Sequence, residues 1–84
     1  MRGMIFTPAG ATNVLIRNIS SNGARVSADD PPQAGCDIIF KRGPIFAAAR
    51  VVDSDRSGAS VQFYRPLADS ELASAHLPLP HRDD

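Results

Sequence analysis

Gly43-Pro44-Ile45-Phe46-Ala47-Ala48-Ala49-Arg50-Val51-Val52 is the stretch on which the fold turns. Three consecutive alanines favour a helix, because alanine loses no side-chain entropy there. The flanks favour a strand. Gly43-Pro44 breaks the chain just before the run, and Val51-Val52 inside it are β-branched. Read as a strand, the run sets Ile45, Ala47, Ala49 and Val51 on one wholly apolar face. Phe46, Ala48, Arg50 and Val52 take the other. We adopt the strand, with a helix as the alternative. Small side chains here would let a strand bend sharply or lie close against another element.

The period of two continues outward in both directions. Val14 and Ile16 oppose Leu15 and Arg17, and Ala24 and Val26 oppose Arg25 and Ser27. Ile38 and Phe40 oppose Ile39 and Lys41, and Val61 and Phe63 oppose Gln62 and Tyr64. Alternation of this kind marks half-buried antiparallel strands. Turn residues separate the runs: Pro8-Ala9-Gly10, Ser21-Asn22-Gly23, Asp29 to Gly35, Arg42-Gly43-Pro44 and Asp53 to Gly58. Five or six short strands in about sixty residues suggest a closed or nearly closed barrel, since closure removes exposed edges.

The end of the chain differs. Pro66 stops the last strand, and Asp69 is placed to cap a short helix from Ser70 to about His76, with Glu71 in its first turn. Ala68, Leu72 and Ala75 fall on one helical face, expected to cover an open end of the barrel. Pro78 and Pro80 prevent further helix. The expected organisation is one domain over residues 1–77 and a Pro-containing flexible tail over 78–84.

Composition narrows the function classes. A chain of 84 residues folds as one domain and has little material for a deep catalytic cleft. Nine basic residues balance nine acidic ones, so no net field draws in nucleic acid or an anionic membrane. Eight of the basic residues are Arg, whose planar fork suits phosphate, carboxylate or a guanine edge. Cys36 is the only cysteine, so no internal disulfide can form, and it reads as a small core residue. No apolar stretch approaches the ~20 residues that span a bilayer. Gly3-Met4-Ile5-Phe6 after Arg2 is too short for a secretory signal, so cytoplasm is the expected location.

Enzyme chemistry finds few candidates. His76 and His81 are separated by prolines and lack a cysteine partner, so no metal site is expected. No histidine falls in a folded segment where it could activate a serine, and no glycine-rich phosphate loop is present. No catalytic residue is assigned, no cofactor is expected, and the chain reads as a binding protein rather than an enzyme.

The informative segment is Arg17-Asn18-Ile19-Ser20-Ser21-Asn22-Gly23. Asn22-Gly23 between alternating runs signals a tight hairpin, and Asn18 and Ser20 can bond backbone groups around it. The same residues also suit a ligand. Asn18 and Ser20 are two apart and share a side of an extended segment. An amide and a hydroxyl together match the hydrogen-bonding edge of a base. Gly23 would let the chain turn without obstructing that ligand.

Asn18-x-Ser20-x-x-Gly23 resembles the Asp/Asn-x-Ser-x-x-Gly motif of PilZ domains. The similarity continues through Gly23-Ala24-Arg25-Val26, Gly35 with Asp37-Ile38-Ile39-Phe40, Ala49-Arg50-Val51-Val52 and Ala59-Ser60-Val61-Gln62-Phe63, over residues 12–75. The resemblance implies an all-β fold, a six-stranded antiparallel barrel with a short C-terminal capping helix. It also implies a bacterial signalling role with cyclic di-GMP as ligand, Asn18, Ser20 and Gly23 in its site, and relay to an unidentified protein partner. The family's Arg-x-x-x-Arg motif is incomplete here: Arg2 is followed four residues on by Phe6. Arg2 is the candidate to contribute charge to the site. The alternative is a degenerate adaptor that binds no nucleotide and acts through protein–protein contact, which an exposed apolar patch at Leu15, Phe46 or Tyr64 would favour. Asp53, following the paired valines, suggests that the last hairpin tip begins early.

Overall fold

The computed structural model describes residues 1–75. Its strands are β1 (Arg2–Thr7), β2 (Gly10–Ile19), β3 (Gly23–Ser27), β4 (Asp37–Arg42), β5 (Ile45–Asp55) and β6 (Gly58–Phe63), followed by helix α1 (Asp69–Ala75). All six strands pair antiparallel in a closed barrel, in the order β1-β2-β3-β6-β5-β4. Two three-stranded meanders, β1-β2-β3 and β4-β5-β6, are thus joined along two seams. The β3–β6 seam runs from Gly23↔Gln62 to Ser27↔Gly58. The β1–β4 seam closes the barrel over Met4↔Lys41, Ile5↔Phe40 and Phe6↔Ile39.

The alanine-rich run is a strand, and its position explains its composition. β5 pairs with β4 through its first half and with β6 through its second. Ala49 lies where the two pairings overlap, opposite Ile38 on one side and Phe63 on the other. It is fully buried, so a small side chain there leaves room for two large ones. Ile45, Ala49 and Val51 face the interior, whereas Phe46, Ala48, Arg50 and Val52 face outward.

The other alternations place the same faces inside. Ile5, Val26, Phe40, Ile45 and Val51 are the largest fully buried side chains. Phe40 and Phe63 meet as tilted rings, centroids 5.4 Å apart, a geometry that suits the aromatic quadrupole. Helix α1 packs against one end through buried Ala75 and half-buried Leu72, while Ala68 stays exposed. Arg42 is buried and fastens this end. Its Nε donates to the Ala75 carbonyl at 2.8 Å and its guanidinium donates to the Arg2 carbonyl at 2.6 Å.

Four expectations are corrected. Cys36 is exposed rather than in the core. It follows Gly35 at φ +92° in the loop before β4, so its apolar neighbours in sequence are not its neighbours in the interior. The helix is capped from Ala68, not Asp69: the Ala68 carbonyl accepts the first helical bond from Leu72 at 2.9 Å, and Glu71 accepts from the Ala68 N–H at 2.9 Å. That reach-back carboxylate three residues on is half of a capping box. Asp53 does not begin a turn. A register shift between Val51 and Asp53 absorbs an extra residue, and β5 runs on to Asp55. Gly23, expected at the centre of the tight turn with Asn22, is the first residue of β3. The tail assigned to residues 78–84 lies outside the described residues. Among the described residues no helix is long and apolar enough to cross a membrane.

Candidate functional site

A bulge builds the site. β2 pairs with β3 as Ile16↔Val26 and then Asn18↔Arg25, so β2 carries one extra residue between them. The inward series Val14, Ile16 therefore resumes at Ile19, not at residue 18. Strict alternation would have turned Asn18 inward; the bulge turns it to solvent. The signal was present in the sequence as two isoleucines three apart, Ile16 and Ile19.

Ser20 lies just past the strand, also exposed. Its N–H donates to the Gly23 carbonyl at 2.8 Å, which makes Ser21 and Asn22 the central residues of the turn, one earlier than Asn22-Gly23. The Ser20 hydroxyl accepts from the Asn22 N–H at 3.3 Å and donates to the Gly23 carbonyl at 3.4 Å. Much of its bonding capacity is thus given to the hairpin, with one lone pair left. Gly23 serves backbone proximity: a Cβ there would lie 2.2 Å from the Val61 carbonyl oxygen across the β3–β6 seam.

Asn18, Ser20 and Gly23 line one open cleft of about 400 Å³ on the outside of β2, β3 and β6. That volume falls in the range of small-molecule sites. Arg25, Ser60 and Gln62 complete its polar wall and Val52 its apolar edge. The side-chain amides of Asn18 and Gln62 make no hydrogen bond to the described residues, so donors and acceptors from two strands face the cleft unused. Local reading missed Gln62 and Ser60, which reach Asn18 only through the β3–β6 pairing that no local pattern reports. Arg25, in contrast, stands directly opposite Asn18 across the β2–β3 hairpin.

Arg25 brings a guanidinium to the wall, half-buried and oriented. It donates to Ser60 Oγ at 3.1 Å and to Asp55 Oδ2 at 2.9 Å, the latter a salt bridge. Asp55 in turn closes the β5–β6 turn, accepting from the Ser57 hydroxyl at 2.7 Å, the Ser57 N–H at 2.8 Å and the Gly58 N–H at 3.2 Å. The Ser57 hydroxyl and N–H, with Arg25, hold its carboxyl well below the usual carboxylate range.

Arg2 does not join this group. It pairs with Leu15 and lines a separate hollow with Gly3, Asn13 and Val14. Arg17 also points elsewhere, its Nε donating to Ser27 Oγ at 2.8 Å. Among the described residues no cluster of three His, Cys, Asp or Glu is placed to hold a metal ion. Comparison with family models, curated proteins and solved structures finds no match to this chain.

Proposed function

We propose that this barrel is a PilZ-like module of bacterial second-messenger signalling, taking cyclic di-GMP in the Asn18 cleft and relaying its occupancy to a protein partner in the cytoplasm. The observation that carries the reading is the meeting of Asn18, Ser20 and Gly23 in one cleft with the Arg25 guanidinium. The Asn18 amide offers the donor and acceptor that a guanine edge requires, and Gln62 offers a second pair. Arg25 supplies charge for a phosphate or a plane for stacking, in competition with Asp55. The role is capture and display, not catalysis.

Calorimetric titration of the chain with cyclic di-GMP tests the proposal. The expected result is saturable binding of about micromolar strength, near −8 kcal/mol. Asn18→Ala is expected to weaken it about tenfold or more, since one well-formed hydrogen bond to the ligand is lost. A variant that binds as well as the parent sinks the site assignment. A specific pair of observations favours the adaptor as second reading: Arg2 lies outside the cleft, and Phe46 and Tyr64 are exposed. Absence of heat and of any melting shift at saturating nucleotide would select it.

A further inference from the structure

One row of residues crosses four strands at the cleft. Asp53 on β5 stands opposite Ser60 on β6, Ser60 opposite Arg25 on β3, and Arg25 opposite Asn18 on β2. Among the described residues Arg25 is the one charged member of the cleft lining. Its charge is already engaged from behind. Asp55 lies outside the lining, in register with Gly58, and reaches Arg25 from there.

The two ends of the guanidinium are tied differently. Nη1 donates to Ser60 Oγ within the wall at 3.1 Å, and Nη2 donates to Asp55 Oδ2 at 2.9 Å. The Asp55 carboxylate is divided as well. Oδ1 takes all three donors of the β5–β6 turn, the Ser57 hydroxyl, the Ser57 N–H and the Gly58 N–H, and Oδ2 takes Arg25. Turn and ion pair therefore use separate oxygens, and the pair can open without unmaking the turn.

We propose that Asp55 is the resident anion of the cleft: it holds Arg25 while the cleft is empty and yields it to a phosphate of the ligand, so that occupancy frees a carboxylate oxygen at the β5–β6 hairpin. The exchange rests on the Asn18 cleft being a nucleotide site. Three features make Asp55 a competitor of the ligand and not its helper. Arg25 keeps its aim without Asp55, through Ser60 and the β3–β6 pairing. The pair is open to water, with side chains 32% and 56% exposed, and such pairs are weak. Asp55 also offers the fork a single oxygen, since the other is committed to the turn, whereas a phosphate offers two in the bidentate geometry that guanidinium prefers. The ligand so favoured is anionic. A neutral one has nothing with which to displace Asp55, and an anionic one meets its repulsion until Arg25 is handed over. Binding then transfers a free negative charge from the ligand to the hairpin tip, where a partner can read it.

Asp55→Asn separates the two roles of the residue. Its amide oxygen can still serve the turn, but its NH₂ cannot accept from Arg25. Calorimetric titration with cyclic di-GMP is expected to show about fivefold tighter binding in Asp55→Asn than in the parent, near the upper worth of an exposed ion pair. Asp53→Asn removes a nearby acid that makes no hydrogen bond to the described residues, and is expected to change affinity less than twofold. Equal or weaker binding in Asp55→Asn overturns the exchange and makes Asp55 a positioning residue. A gain in Asp53→Asn as large as in Asp55→Asn also overturns it, by reducing the effect to general charge. In the parent itself, saturating nucleotide is expected to move the Asp55 carboxyl carbon resonance, and an unmoved resonance counts against the exchange without any variant. If neither protein binds cyclic di-GMP, the nucleotide reading falls, and pyrophosphate decides the exchange separately. The Arg25 Nε resonance is expected to respond at about fivefold lower pyrophosphate in Asp55→Asn than in the parent; equal response in both removes the exchange as well.

Discussion

Asp55 and Tyr64 each answer to a partner that a pH titration can see. The Asp55 carboxyl is lowered because its ionised form accepts from the Ser57 hydroxyl, the Ser57 N–H and Arg25. A lowered folded value means stability that is complete above the unfolded value, about pH 4, and lost as pH falls below it. Asp55→Ala is therefore expected to melt lower than the parent at pH 7, with the gap narrowing between about pH 4 and pH 2. A gap that stays constant down to pH 2 contradicts the assignment. Tyr64 shifts the other way. Its hydroxyl donates to the Asp37 carboxylate, which resists loss of the phenolic proton, so its pKa is raised above 10.0. It is the only tyrosine, so ultraviolet titration reads it without overlap. The midpoint is expected above 10 in the parent and lower in Asp37→Asn, and an unmoved midpoint removes the Asp37 contact. At this scale the sequence was only partly legible. Asn18 was singled out by its place before a turn, yet it faces solvent because of a bulge. Cys36 was misread because neighbours along the chain stood in for neighbours in space.

The elements were more legible than their partners. Five alternating runs gave the correct inward faces, because burial of one sheet face imposes a period of two that any linear reading detects. The β3–β6 seam was invisible, since it joins residues more than thirty apart. Two glycines nonetheless record it. A Cβ at Gly58 would lie 1.9 Å from the Val26 carbonyl oxygen, as one at Gly23 would crowd Val61. Neither has positive φ, so both are kept small by backbone approach and not by conformation. Gly58→Ala is expected to force the seam apart and cost about 2–4 kcal/mol in urea unfolding, as strained or overpacked sites do. A change below about 0.5 kcal/mol would mean the strands are not so close. The short helix was foreseen from its apolar spacing, but its start depended on Glu71 reaching back, a choice between two acids that composition does not decide.

Over the whole molecule, the interior is a thin column of side chains with little redundancy. An 84-residue domain has a stability of roughly 4–13 kcal/mol at 0.05–0.15 kcal/mol per residue. Phe40 is fully buried and packs against Phe63 as a tilted pair of rings. Phe40→Ala is expected to cost about 3–5 kcal/mol, enough to unfold much of the population at the lower end of that range. Equilibrium urea denaturation measures it, and a loss under about 1 kcal/mol would show that the barrel is not packed around this ring. Closure of the sheet also bears on how such a small domain meets other proteins. With β1 hydrogen-bonded to β4, each of the six strands in the described residues has a neighbour on both sides. A passing peptide finds no free row of N–H and C=O groups to extend, so strand addition is barred while the three-residue β1–β4 latch holds. Recognition by this barrel must then be written in side chains, and its specificity can change by surface substitution without disturbing the backbone that carries it.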